Sequence, residues 1–172
     1  MKQFFTFFLC AFVCQLSFSQ QDIFELARSG TVEAMKTVLK ENPSAINSVN
    51  KDGYSLLVLA TYRGNNPVAR FLVDNGADIN GTSNYGSPLM AAVVKGNSEI
   101  AKLLLEHHAD TSIADSSGNT ALIYAVIFKK YDLAEMLVNA KANVNWKDIR
   151  GNSAVDYVKM TNDEKLLQLL KK

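Results

Sequence analysis

His107 and His108, flanked by Glu106 and Asp110, form the one cluster of metal-ligand residue types that stands out in this sequence. Such residues can hold a zinc ion that activates water, and a histidine can serve a serine as general base. The spacing argues against both uses. Neighbouring residues on a helix point about 100° apart, whereas two helical zinc ligands sit four residues apart on one face. A hydrolase or metal-dependent enzyme would have to use these two histidines, because the sequence has only 2. It has no G-x-S-x-G turn, no phosphate-binding glycine loop and no dinucleotide glycine pattern. A thiolate nucleophile is also excluded from the body of the chain, since both cysteines, Cys10 and Cys14, fall within its first nineteen residues. The expectation is a protein with no catalytic residues, no metal and no cofactor.

Those nineteen residues look like an address. Met1-Lys2-Gln3 carries one positive charge, and Phe4 to Val13 is apolar except for Thr6. Ser17-Phe18-Ser19 then places small residues at −3 and −1 of a cleavage point, so residues 1–19 read as an export signal removed before Gln20. A spanning helix needs about 20 apolar residues, and Gln15 interrupts this run too early. A lipid anchor would need a small residue before the modified cysteine, but Leu9 precedes Cys10 and Val13 precedes Cys14. The expected location is periplasmic or secreted, with no membrane insertion of the mature chain and no disulfide in it.

Composition narrows the class further. The 172 residues are 48% apolar and 20% charged, with 3 Pro and 9 Gly, which are globular proportions. Lys plus Arg is 18 against 17 Asp plus Glu, and removing Lys2 leaves 17 of each. A chain without basic excess is not expected to bind nucleic acid through its phosphates.

The elements that position these residues repeat. Leu57, Leu89, Leu122 and Val155 begin similar apolar runs at a near-constant interval of about 33 residues. Val68, Ile100, Leu133 and Leu166 stand at one fixed offset from them, and each begins a second run. Ile23 and Ala34 show the same offset. Within each run the apolar residues fall at i, i+3, i+4 and i+7, which predicts two short amphipathic helices per unit. Ser55, Ser87, Thr120 and Ser153 stand at the expected N-caps, and Pro88 occupies a first helical position. Gly64 and Gly96 separate paired helices, and Gly76 ends a second helix in the slot that His108 fills one unit later.

Ser87-Pro88-Leu89 and Gly76-Ala77-Asp78-Ile79-Asn80 resemble the signature and closing segment of the ankyrin repeat, a unit of about 33 residues. His108-Ala109-Asp110 and Lys141-Ala142-Asn143-Val144-Asn145 are weaker copies of the closing segment. The resemblance covers Ile23 to Lys172 and implies an all-α solenoid of about five helix-turn-helix units with β-hairpin-like fingers. The units are read as a capping unit at 20–50, repeats at 51–82, 83–115 and 116–148, and a C-terminal capping unit at 149–172. Polar outer faces on the end units, with Arg28, Lys36 and Lys40 in the first, suit a complete array. Thr161 to Glu164 reads as a capping box opening the last helix, and Lys171-Lys172 suits its C-terminus. Three departures stand out. Val58, Met90, Ile123 and Asp156 replace the signature histidine, so neighbouring turns should rely more on apolar packing. The turn before Ser87 is one residue short, which should displace the finger around Tyr85. Lys129-Lys130 replaces an inter-helix glycine at a cost in local stability.

The resemblance also implies where a partner binds: on the fingers and on the concave face made by the first helices. Applied to this sequence, it gives Tyr54, Tyr85, Trp146 and Arg150 on the fingers, and Tyr62, Arg63, Val94, Lys95, Ile127 and Phe128 on the concave face. The family usually solvates the latter positions, so Tyr62, Val94, Ile127 and Phe128 should form an exposed apolar strip, with burial between tilted helices as the alternative. Trp146 is equally suited to packing under its own finger. The resulting expectation is an exported, non-enzymatic protein-binding module of a bacterium, monomeric in preference to a homodimer closed by the strip. An immunity or protective protein for an exported toxin or a stress enzyme is the alternative within that class.

Overall fold

The computed structural model describes residues 22–83 and 86–171. The expected export signal and Tyr85 therefore lie outside the described residues. Among the described residues, ten α-helices follow in pairs: α1 Ile23–Ser29 with α2 Val32–Glu41, α3 Leu56–Arg63 with α4 Asn66–Asp74, α5 Pro88–Lys95 with α6 Ser98–Glu106, α7 Ala121–Ile127 with α8 Tyr131–Asn139, and α9 Ala154–Thr161 with α10 Glu164–Leu170. A 3-10 turn, Pro43–Asn47, closes the first pair. The first helices pack on one another in sequence, α1 on α3, α3 on α5, α5 on α7 and α7 on α9, and the second helices form a parallel layer behind them.

None of these helices is long enough to persist alone in water. Burial against neighbours holds them. The repeated positions Leu57, Leu89 and Leu122 are fully buried, as are Val68, Ile100, Leu133 and Leu166, while Val155 in the last unit is half-buried. Their side chains belong to one continuous core running from Leu26 to Leu170. Each first helix after α1 starts on its expected cap: Ser55, Ser87, Thr120 and Ser153 accept the backbone N–H of Val58, Met90, Ile123 and Asp156 respectively. The residues in place of the signature histidine act differently along the array. Val58, Met90 and Ile123 are buried apolar contacts, whereas the Asp156 carboxylate accepts the Ser153 N–H at 3.0 Å and its hydroxyl at 2.7 Å.

The turn from first to second helix needs a left-handed residue. Gly64 and Gly96 supply it at φ +74° and +71°. Lys129 and Asn162 occupy the same register at +52° and +50°, so the lysine bears the expected strain. The capping box at Thr161 does not form. Thr161 belongs to α9, its hydroxyl bonded back to the carbonyls of Tyr157 and Val158, and Asp163 caps α10 by accepting the Leu166 N–H. The left-handed Asn162 turns the chain between them, which moves the cap two residues on.

Polar side chains tie unit to unit. Asn65 Nδ2 donates to the carbonyls of Ala27 at 3.2 Å and Gly30 at 3.0 Å, satisfying the end of α1. Asn47 accepts the Asp78 N–H, and Asn80 accepts the Asp110 N–H, one unit later. The fingers are tighter than hairpins. Among the described residues they carry single antiparallel bridges, Val49 with Ser55, Ser83 with Gly86 and Ala114 with Thr120, and no extended strands. The second finger closes between Ser83 and Gly86, one position tighter than the Asp115 to Asn119 closure of the third, so the short turn is real.

Candidate functional site

The first helices and the fingers enclose a concave groove of about 600 Å³. It is lined by Tyr54 and Asp52 from the first finger, by Arg28, Tyr62 and Arg63 from the ends of α1 and α3, and by Val94, Tyr124 and Phe128 further along. Its floor is Val58, Leu59, Met90 and Ala91. Sequence position explains the exposure of Tyr62, Val94 and Ile127, which each lie about one and a half turns beyond a buried leucine and so rotate out of the core.

The strip is open to solvent. Tyr62 is 47% exposed, Phe128 46% and Ile127 39%, with Val94 half-buried among them. Helix orientation therefore does not bury the row between units. The same register continues to Met160 on α9, 62% exposed, which the sequence reading passed over. One repeat step from Ile127 was the available signal. Two contacts fix the strip's geometry. Lys95 Nζ lies 4.9 Å from the centre of the Tyr62 ring, joining adjacent units by a cation–π contact. Phe128 stacks on Tyr124 with centroids 5.7 Å apart and planes within 7°.

Tyr124 is in turn anchored through its hydroxyl, which donates to Asp115 of its own finger. Burial, together with the Asp115 carboxylate, pushes that phenol up to about 12. Asp115 Oδ1 also accepts the N–H groups of Ser117 and Asn119, so one carboxylate shapes the turn and holds the ring under Phe128. Asp148 and Tyr157 repeat the device one unit on. Burial raises the Asp148 carboxyl, but the Tyr157 hydroxyl, the N–H groups of Asn152 and Arg150 and the Arg150 charge outweigh it and hold the group below the ordinary carboxylate range. The paired Asp and Tyr positions are visible in the sequence one repeat apart, yet their partnership was not read there.

Of the ten partner-binding candidates, Tyr54, Tyr62, Arg63, Val94 and Phe128 share the groove, with Lys95 and Ile127 beside them. Trp146 and Arg150 stand apart on the last finger. Trp146 Nε1 donates to the Gly118 carbonyl at 3.0 Å, so the indole clasps the preceding finger and does not fold under its own. Arg150 bonds Asp148 through Nε at 3.4 Å and lies over the Tyr157 ring. Ile149, 75% exposed, is the outermost apolar residue of that finger.

The histidines occupy a different place. His107 is the C-cap of α6, and His108 adopts φ +62° in the slot where Gly76 stands at +86° and Lys141 at +65°. Both are exposed at a helix C-terminus, and no group of three His, Cys, Asp or Glu side chains converges among the described residues. No described helix is long and apolar enough to cross a membrane.

Comparison with known proteins adds a family. The model for ankyrin repeats in three copies matches residues 23–115 and 82–148. A stretch of 59 residues is 37% identical to the ankyrin repeat and SAM domain-containing protein 6 of Rattus norvegicus, covering 34% of this chain and 7% of that protein. Another of 56 residues is 39% identical to BTB/POZ domain-containing protein 3 of Schizosaccharomyces pombe, covering 33% of this chain and 11% of that protein. The match thus spans about a tenth or less of either relative.

Proposed function

The chain belongs to the ankyrin-repeat family, whose members generally mediate protein–protein interaction, and from that premise we propose that it is an exported, non-enzymatic binding module. The partner is a protein that docks on the concave groove. The observation that supports this reading is the open apolar row of Tyr62, Val94, Ile127 and Phe128, braced by Lys95 and Tyr124. Aromatic residues beside an arginine are the side chains that dominate interface energetics, and an exposed apolar row in water has a cost that binding removes. A stacked solenoid holds those side chains in place beforehand, so little ordering entropy is lost on docking. The module acts as a monomer that takes a protein ligand, with no nucleic acid, metal or cofactor.

Capture from the exported fraction tests the reading, with the full chain as bait beside a Tyr62→Ala, Ile127→Ala, Phe128→Ala triple variant. A partner held by the first and lost by the second, with both folded by circular dichroism, supports the concave face. Equal retention by both moves the site to the fingers or the second-helix layer and refutes this placement. Export is checked by the N-terminus of the recovered protein, which should be Gln20.

A further inference from the structure

The charges beside the apolar row specify what kind of segment fits it. The first helices of most units carry a cation in their last turn: Arg28 in α1, Arg63 in α3, Lys95 in α5 and Lys159 in α9. A cation at a helix C-terminus is ordinarily explained by the helix dipole. That explanation is insufficient here. Among the second helices α2 carries Lys40 and α10 ends on Lys171 as its C-cap, whereas α4, α6 and α8 have the same dipole and no basic residue in their last turns. Of these cations, Arg28 and Arg63 line the concave groove and Lys95 lies beside it over Tyr62, whereas Lys159 stands in a different register of its helix. The overall balance of 18 basic and 17 acidic residues gives no reason for such a row by composition alone. Among the described residues Arg63 makes no ion pair, and Asp52 is the one carboxylate lining the groove.

We propose that the groove takes an extended acidic segment of its protein partner, with an apolar side chain at every third residue set against Tyr62, Val94 and Phe128 and carboxylates between them facing Arg63 and Lys95. This rests on the concave-face reading above and makes it specific. The spacing follows from geometry. Packed helices lie about 8–10 Å apart, so the strip offers one apolar position per such step. A polyproline II segment has three residues per turn and rises about 3.1 Å per residue, which returns a side chain to the same face every ~9 Å. A β-strand puts its i and i+3 side chains on opposite faces and does not match the row.

Fluorescence anisotropy of labelled peptides tests this, using the full chain and three probes: four repeats of Phe-Glu-Glu, of Ser-Glu-Glu and of Phe-Lys-Lys. The expected result is saturable binding of the first at low salt, with little from the other two. An exposed ion pair contributes about 1.4- to 5-fold to affinity, so the Arg63→Ala, Lys95→Ala double variant should bind about 2- to 30-fold more weakly. Affinity should also fall as sodium chloride is raised from about 50 to about 500 mM. Both substitutions sit at exposed helix ends, and unchanged circular dichroism would show that the variant is folded. The proposal is overturned if the Phe-Glu-Glu peptide does not bind, if Ser-Glu-Glu or Phe-Lys-Lys binds equally well, or if the folded double variant binds as tightly as the parent. Phe-Lys-Lys binding that the triple apolar variant abolishes would remove the acidic segment and keep the concave site. Loss of the concave site itself is read separately, from a captured partner that the triple variant still holds.

Discussion

Gly118→Ala separates two costs that coincide at the finger glycines. Gly53, Gly118 and Gly151 occupy the same turn position with φ of +82°, +75° and +80°. An alanine forced into this left-handed region costs about 1–2 kcal/mol, partly offset by a less disordered unfolded chain, so each substitution should lose about 1 kcal/mol on this account. A Cβ at Gly53 or Gly151 meets nothing within 4 Å. At Gly118 it would lie 3.0 Å from both Asp148 Cα and Ile149 N, which are backbone atoms that cannot rotate aside. The last finger must move away, and that motion strains the Ile149 N–H to Ser117 carbonyl bond at 3.1 Å and the Trp146 indole bond to the Gly118 carbonyl. Each is worth about 0.5–1.5 kcal/mol net, giving a total loss of about 2–4 kcal/mol for Gly118→Ala. Thermal unfolding by circular dichroism should then show a decrease of roughly 4–16 °C, against about 2–4 °C for Gly53→Ala and Gly151→Ala. Trp146 is the sole tryptophan, so acrylamide quenching of its emission reports the clasp directly and should increase in Gly118→Ala. Equal destabilisation of all three variants, with unchanged quenching, would refute the docking of the last finger on its neighbour.

Three further outcomes follow from polar contacts. Asn65→Ala orphans the carbonyls that end α1 and should cost about 1–3 kcal/mol, with hydrogen exchange of α1 and α2 rising before that of α5 to α8. The Tyr124 phenol is held protonated to about 12 when folded, against an ordinary value near 10, so its contribution is full below pH 10 and is lost as pH rises toward 12. Tyr124→Phe should therefore show a shallower loss of melting temperature between pH 9.5 and 12 than the parent. Asp148 is depressed instead, so its contribution is present above roughly pH 4 and is lost on acidification. Asp148→Asn should flatten the acid limb of a stability profile taken from pH 6 to 2.5.

The N-caps, the buried leucine register and the exposed strip were legible because each depends on local chemistry repeated at a fixed interval. A serine before an apolar run caps a helix wherever it occurs, and a residue five positions past a buried leucine points away from the core in every unit. His108 was read correctly by the same argument, from the glycine that fills its slot at Gly76. What escaped the sequence depends on a neighbour in space. Asn65 has no distinctive local pattern, and its value comes from carbonyls that belong to the preceding unit. The Trp146 clasp requires the relative height of two fingers, which no spacing supplies. Met160 was missed because the last unit was read as a cap, although the register reaches it. The cap of α10 moved from Thr161 to Asp163 because Asn162 takes a left-handed conformation, a choice that depends on how α9 ends.

Site-specific photo-cross-linking tests the concave-face claim most directly. A benzoylphenylalanine placed at Phe128 on the groove, and in a separate variant at Lys102 on exposed α6, would report which layer a captured partner touches. A covalent adduct is expected from position 128 and none from position 102. An adduct from position 102 alone would contradict the concave-face claim and place the interaction on the second-helix layer.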